Sequence, residues 1–167
     1  MRTTTHRAAL SAAMVLLVAL GHLAAPPAGA DARGNAARPG EVTPSSAVAV
    51  STSGSHTCAV LADGRVKCWG HGGGGTLGLG DTEHRGDEPG EMGDALSTVD
   101  LGSGRTALDV AIGAWHTCAL LDNGQVKCWG SPLYGTLGLG DDETRGDEPG
   151  EMGDALPAVD LGPGRTA

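Results

Sequence analysis

Residues 116–130 read HTCALLDNGQVKCWG, and residues 56–70 read HTCAVLADGRVKCWG. Both open on His-Thr-Cys, turn at a glycine and end on Lys-Cys-Trp-Gly. In each, two β-prone runs flank a three-residue loop whose last residue is Gly64 or Gly124. Such a loop closes a hairpin through a left-handed bulge residue, a backbone state that glycine adopts without steric cost. The stretch therefore predicts one hairpin, built twice.

The repetition runs well beyond the hairpin. Cys58 and Cys118, Gly80 and Gly140, Met92 and Met152, and Arg105 and Arg165 are each 60 residues apart, and RGDEPGEMGDAL recurs unchanged at 85–96 and 145–156. Self-similarity this strict marks a repeat architecture. AVAV (47–50) and LDVAI (108–112) supply a further strand to each unit, and VDL (99–101 and 159–161) a fourth. The chain has 29 Gly, 9 Pro and no Phe, a composition of many tight turns and few large core side chains. No helical periodicity interrupts it after residue 30. Four short strands per unit, joined by glycine-rich turns, are the pattern of all-β propeller blades.

The first residues are of another kind. Arg2 and Arg7 precede the apolar run AALSAAMVLLVAL (8–20), and APPAGA (25–30) places Ala28 and Ala30 at small-residue cleavage positions. This is the form of a secretory signal, cut after Ala30. Gly21 and His22 end the apolar run short of the ~20 residues a membrane span needs, and no Cys follows it to take a lipid. Loss of Arg2 and Arg7 moves the formal charge from −9 to −11. An acidic balance of this size argues against nucleic acid as a partner. The organisation read from the chain is a signal peptide at 1–30, a flexible leader at 31–46, one repeat at 47–106 and a second at 107–167.

The string HTCALLDNGQVKCWG…YGTLGLGD resembles the repeat of the regulator of chromosome condensation (RCC1) family. The matching positions are His116, Thr117, Ala119, Leu120, Gly124, Trp129, Gly130, Gly135, Leu137, Gly138 and Gly140, with their counterparts from His56 to Gly80. Thr76 and Thr136 stand where that family usually has Gln, and the Asn usual after Trp-Gly is missing. The cysteine-containing, 60-residue form is similar to secreted bacterial members. The resemblance implies RCC1-type β-propeller blades. Propellers close with 4–8 blades, about seven in this family, whereas this sequence holds about two. A partial propeller of this kind is either a fragment of a longer one or self-assembles to complete the ring.

Cys58 and Cys68 lie equally far from Asp63 at the middle of the turn, as Cys118 and Cys128 do from Asn123. In a hairpin pairing Leu61 with Arg65, Cys58 falls opposite Cys68 at a non-hydrogen-bonded position, where Cα atoms stand about 4.5 Å apart. Two disulfides follow, suited to an exported protein. The sharper alternative is zinc on His56, Cys58 and Cys68, and again on His116, Cys118 and Cys128. Each set is one ligand short of a closed tetrahedron and lacks CxxC spacing, so no metal is assigned. The reading for His56 and His116 is a buried imidazole bonded to backbone within its own blade. The acidic loops, with Asp81, Glu83, Asp87 and Glu88 and then Asp141, Asp142, Glu143, Asp147 and Glu148, carry oxygens of the kind calcium takes. Without EF-hand or nonapeptide spacing they read as solvated. Arg85-Gly86-Asp87 and Arg145-Gly146-Asp147 spell an adhesion tripeptide too short to assign a role.

No nucleophile–base pairing, phosphate loop or CxxC redox pair is present, so neither catalysis nor a cofactor is expected. The resemblance implies a secreted, extracytoplasmic, non-enzymatic module that binds an unidentified protein partner and holds no membrane contact once its signal is cut. Inhibition of an extracellular enzyme is one concrete version, and guanine-nucleotide exchange is an alternative from the same family. Shared residues build the scaffold, so contact with a partner falls to what differs between copies. Trp115 replaces Ser55, Tyr134 replaces Gly74, Leu133 replaces Gly73, and His71 stands where the second copy has Ser131.

Overall fold

The computed structural model describes residues 46–167; the expected signal peptide and all of the leader except Ser46 lie outside the described residues. Two three-stranded antiparallel sheets follow one another. The first joins β1 (Ala47–Thr52), β2 (His56–Leu61) and β3 (Val66–Gly70) in that order, and the second repeats it with β4 (Ala107–Ile112), β5 (His116–Leu121) and β6 (Val126–Gly130). The architecture is all-β, with each sheet forming one blade.

The hairpin turn is fixed by local chemistry. Gly64 takes φ +78°, and its N–H bonds the Leu61 carbonyl at 2.8 Å while the Leu61 N–H bonds Arg65 O at 2.8 Å. Asp63 accepts from the Arg65 backbone N–H at 3.1 Å and from its Nε at 2.7 Å, closing the loop on itself. A side chain at Gly64 is excluded for a second reason: a Cβ there would collide with Thr106, where the chain enters the second blade. The Gly64 carbonyl accepts the Ala107 N–H at 2.8 Å, so the turn of one blade also starts the first strand of the next.

This register places Cys58 opposite Cys68 and Cys118 opposite Cys128, each pair disulfide-bonded with Cα atoms 4.1 Å apart. The sulfurs are joined to each other, so no thiolate remains for the zinc alternative. Cys58, Cys68, Val60 and Val66 are fully buried, in one core with Leu77, Leu121, Trp129 and Leu156.

The fourth strand expected from VDL does not form. Gly70 and Arg85 bridge at one end of β3 (2.8 and 3.1 Å), and the Val99 N–H reaches Val66 O at 2.9 Å at the other. Between these anchors Gly86, Gly90 and Gly93 all take positive φ, which breaks the ladder over 86–98. The second blade repeats this, with the Gly130–Arg145 bridge and the Val159 N–H to Val126 O at 2.8 Å.

The acidic loops are not simply solvated. Glu91 accepts from the Gly86 and Glu88 N–H groups at 2.8 and 3.1 Å, and Asp81 pairs with Arg85 at 2.6 Å. The bond from the Glu88 N–H, then that from Gly86, holds the Glu91 carboxyl below the usual carboxylate range. Arg85 and Arg145 are thus committed to their own blades through side chain and backbone.

Replacing both cysteines of one pair by Ala removes a loop constraint worth about 2.5–3 kcal/mol. Urea unfolding of Cys58→Ala/Cys68→Ala should show that loss, and treating the unmodified chain with reductant, which opens both bridges, should cost about twice as much.

Candidate functional site

Two features stand out in the described residues: a buried polar junction between the blades, and an apolar cleft beside it. The junction centres on the main-chain carbonyl of Thr76, a residue with no solvent exposure. It accepts from the Thr117 hydroxyl at 3.0 Å and from the Trp129 indole N–H at 3.1 Å. Thr117 Oγ1 lies 2.8 Å from His56 Nε2. Because the Thr117 hydrogen goes to Thr76, the imidazole must donate, which fixes His56 as its Nε2–H tautomer. The chain of donors then runs from His56 to Thr117 to Thr76 O. Gly78 lies flat beneath Trp129, where any Cβ would strike the indole.

The Thr76 side chain is not the acceptor; its hydroxyl donates to His71 O at 2.6 Å and sets the turn. Around this centre, Lys127 is buried with its ammonium on the carbonyls of Leu101 (3.1 Å) and Gly153 (2.7 Å). The Gly80 N–H bonds Gly146 O at 3.0 Å, and the Gly153 N–H bonds Asp100 O at 3.1 Å.

The expectation for the repeated histidines is corrected by this geometry. His56 is buried, but it bonds a side chain of the following blade rather than backbone of its own. His116 is only half-buried, since no blade covers that side among the described residues. Burial is the main cause that lowers the His56 pKa, and charge on His71 and then His116 adds to it.

The cleft of about 160 Å³ lies on the uncovered side of the second blade, lined by Trp115, Leu133 and Tyr134 together with His116 and Thr136. Trp115 comes from the loop between β4 and β5, and Leu133–Gly135 form a 3-10 turn after β6. Trp115 and Leu133 are about half exposed, and Tyr134 is fully so. Tyr134 also has φ +61°, the sole non-glycine residue with positive φ among those described; its counterpart Gly74 has φ +65°. His71 does not line the cleft. It sits behind Trp115, ring centroids 5.8 Å apart and edge-on, and packs against His84 at 4.7 Å. The fourth expected contact residue thus packs against Trp115 instead of lining the cleft. His84 was not anticipated, yet a signal exists: His71 and His84 both differ between copies, facing Ser131 and Thr144.

Comparison with known proteins follows the repeats. The description "Regulator of chromosome condensation (RCC1) repeat" matches residues 47–75 and 108–136, and a second description of that repeat matches 63–120. Together they run over 47–136, more than half of the chain. The chain is 40% identical over 89 residues to the ultraviolet-B receptor UVR8 of Arabidopsis thaliana, covering 52% of this chain and 18% of that protein. It is 37% identical over 98 residues to the E3 ubiquitin-protein ligase HERC2 of Homo sapiens, covering 59% of this chain and 2% of HERC2. The chain thus spans less than a fifth of these relatives. Among solved structures it is similar to Prp20p of Saccharomyces cerevisiae, with 20% identity, a TM-score of 0.48, and coverage of 74% of this chain and 27% of that one.

Thr117→Val leaves the His56 N–H unpaired in a buried place and should cost about 1–3 kcal/mol in denaturant unfolding. Thr57→Val, the same change on the uncovered side of the first blade, should stay within about 0.5 kcal/mol of the unmodified chain. The junction should also be acid-sensitive. Below the ordinary histidine pKa the unfolded chain takes up a proton that folded His56 resists, so stability should fall as pH drops from 7 through that value. Melting temperatures across pH 7 to 5 check this, and His56→Gln should flatten the dependence.

Proposed function

The chain belongs to the regulator of chromosome condensation (RCC1) repeat family, and we propose that it is an exported, non-catalytic protein-binding module. Its contact surface is the cleft of Trp115, Leu133 and Tyr134. Repeats of this family typically serve interaction and regulation, which supports a protein as the partner. Two disulfides suit an oxidising compartment, and the amino-terminal signal read from the sequence supplies the route. No helix among the described residues is long and apolar enough to cross a membrane.

The observation that carries the reading is Tyr134. A side chain in the left-handed region costs about 1–2 kcal/mol, and this one is wholly exposed, touching nothing that offsets the cost. The first copy shows that glycine builds the same turn. An aromatic held in a strained, exposed position beside a second exposed aromatic has the composition of a binding hot spot. His71, itself backed by His84, gives Trp115 a fixed orientation.

Restoring the first copy's residue tests this. Tyr134→Gly should raise stability by about 0.5–1 kcal/mol while weakening partner capture. The readout is cross-linking to extracellular proteins from a photoreactive group at position 133, with the same group at position 73 as control. Equal capture from both positions, or capture that survives Trp115→Ser/Tyr134→Gly, would remove the cleft from the reading. Export is checked separately by amino-terminal sequencing of the mature protein, expected to begin at Asp31.

A further inference from the structure

The two blades expose complementary halves of the junction that joins them. On the first blade, Thr57 and Trp69 are half-buried and Gly86, Met92 and Gly93 exposed, whereas their counterparts Thr117, Trp129, Gly146, Met152 and Gly153 are all buried. On the second blade the other half is open: His116 is half-buried and Thr136 and Gly138 exposed, while His56, Thr76 and Gly78 are buried. One end of the molecule presents the donors and the other presents the acceptor turn.

Both halves are repeated without change where they matter. GTLGLGD recurs at 75–81 and 135–141, VKCWG at 66–70 and 126–130, and RGDEPGEMGDAL at 85–96 and 145–156. The backbone follows: Gly135 and Gly138 keep the positive φ of Gly75 and Gly78. We infer that a second copy of this chain docks its first blade on the open face of the second blade, reproducing the internal junction between molecules. The Thr136 carbonyl then accepts from Thr57 and Trp69 of the incoming copy, and His116 donates to that Thr57.

The flanking contacts have their equivalents too. The Gly140 N–H takes the incoming Gly86 carbonyl, as Gly80 takes Gly146 within the chain, and the incoming Gly93 N–H takes Asp160 O, as Gly153 takes Asp100. The Cβ of Tyr134 does not obstruct this, because a Cβ at Gly74 meets no atom within 4 Å even with its neighbouring blade in place. Several internal contacts have no equivalent. The Ser55 hydroxyl reaches Ala114 O at 3.5 Å, whereas Trp115 has no hydroxyl to offer. The Gly64 carbonyl takes the Ala107 N–H, whereas Gly124 O is already held by Ala167 of its own chain at 2.9 Å, so the incoming Ala47 does not repeat that bond. Ser103 donates its backbone N–H and hydroxyl to Asp154, but Pro163 holds that place in the second copy and has neither group. The His71–Trp115 ring contact is replaced by Ser131 against Ser55. The junction between molecules is therefore weaker than the internal one and forms with rising concentration. Being heterologous, it closes into a ring or extends as a filament.

The test uses the purified full chain, by sedimentation velocity and native mass spectrometry over a wide concentration range, with hydroxyl-radical footprinting of the same samples. Multiples of the chain mass should appear, and labelling of Trp69 and Met92 should fall as they do, while Trp129 and Met152 stay protected throughout. Thr57→Val and His116→Leu should each weaken assembly about tenfold or more, yet an equimolar mixture should form a dimer through its one intact pair of faces. Circular dichroism and disulfide content establish that both variants fold, and the footprint of the unmodified chain decides the matter should either fail to. A single-chain mass at every concentration overturns the inference. So does assembly that leaves Trp69 and Met92 fully labelled, or assembly abolished by Trp115→Ser/Tyr134→Gly and untouched by Thr57→Val.

Discussion

The structure depends on one carbonyl. The oxygen of Thr76 has left water, and an unpaired carbonyl in that position would cost about 1–3 kcal/mol, a large share of the roughly 5–15 kcal/mol by which a domain is stable. Thr117 and Trp129, both from the following blade, satisfy it, so the first blade's turn is complete only with the second beside it. The indole needs Gly78 to lie flat, and the Thr117 hydroxyl needs a histidine in a single tautomer. Each repeat is a three-stranded sheet too small to bury both of its faces, and stacking is what completes it.

Within a blade the constraint is different and more local. A glycine turn, an aspartate or asparagine that closes it, and a disulfide directly across the strands leave the hairpin little freedom before any neighbour arrives. The small core, built without phenylalanine, is compensated by covalent closure. Rigid hairpins are in turn what allow the junction to be specific, because the Thr117 hydroxyl and Trp129 indole leave adjacent strands and converge on one atom.

The hairpins and disulfides were legible because they follow from symmetry about Asp63 and Asn123, a relation spanning ten residues. The junction was not, because its acceptor is main chain and its donors lie 41 and 53 residues away. Repetition showed that Thr76, Thr117 and Trp129 are shared, but only the packing of one blade on another shows why. The missing fourth strand has a plain cause: VDL has strand-like residues, but three glycines at positive φ separate it from the Arg85 bridge. Glu91 was invisible as a staple because its partners are backbone N–H groups in an irregular loop. At the cleft, comparing the two copies position by position located Trp115, Leu133 and Tyr134, whereas His71 proved to act from behind Trp115.

The three indoles give the most direct test of the claim that the Thr76 carbonyl organises the structure. Their N–H resonances can be followed by NMR after transfer into deuterated water, at a protein concentration low enough to keep the chains separate. The account predicts that Trp129 exchanges orders of magnitude more slowly than Trp69 and Trp115. Equal rates at all three would contradict it, since the indole bond to Thr76 would then not persist in solution.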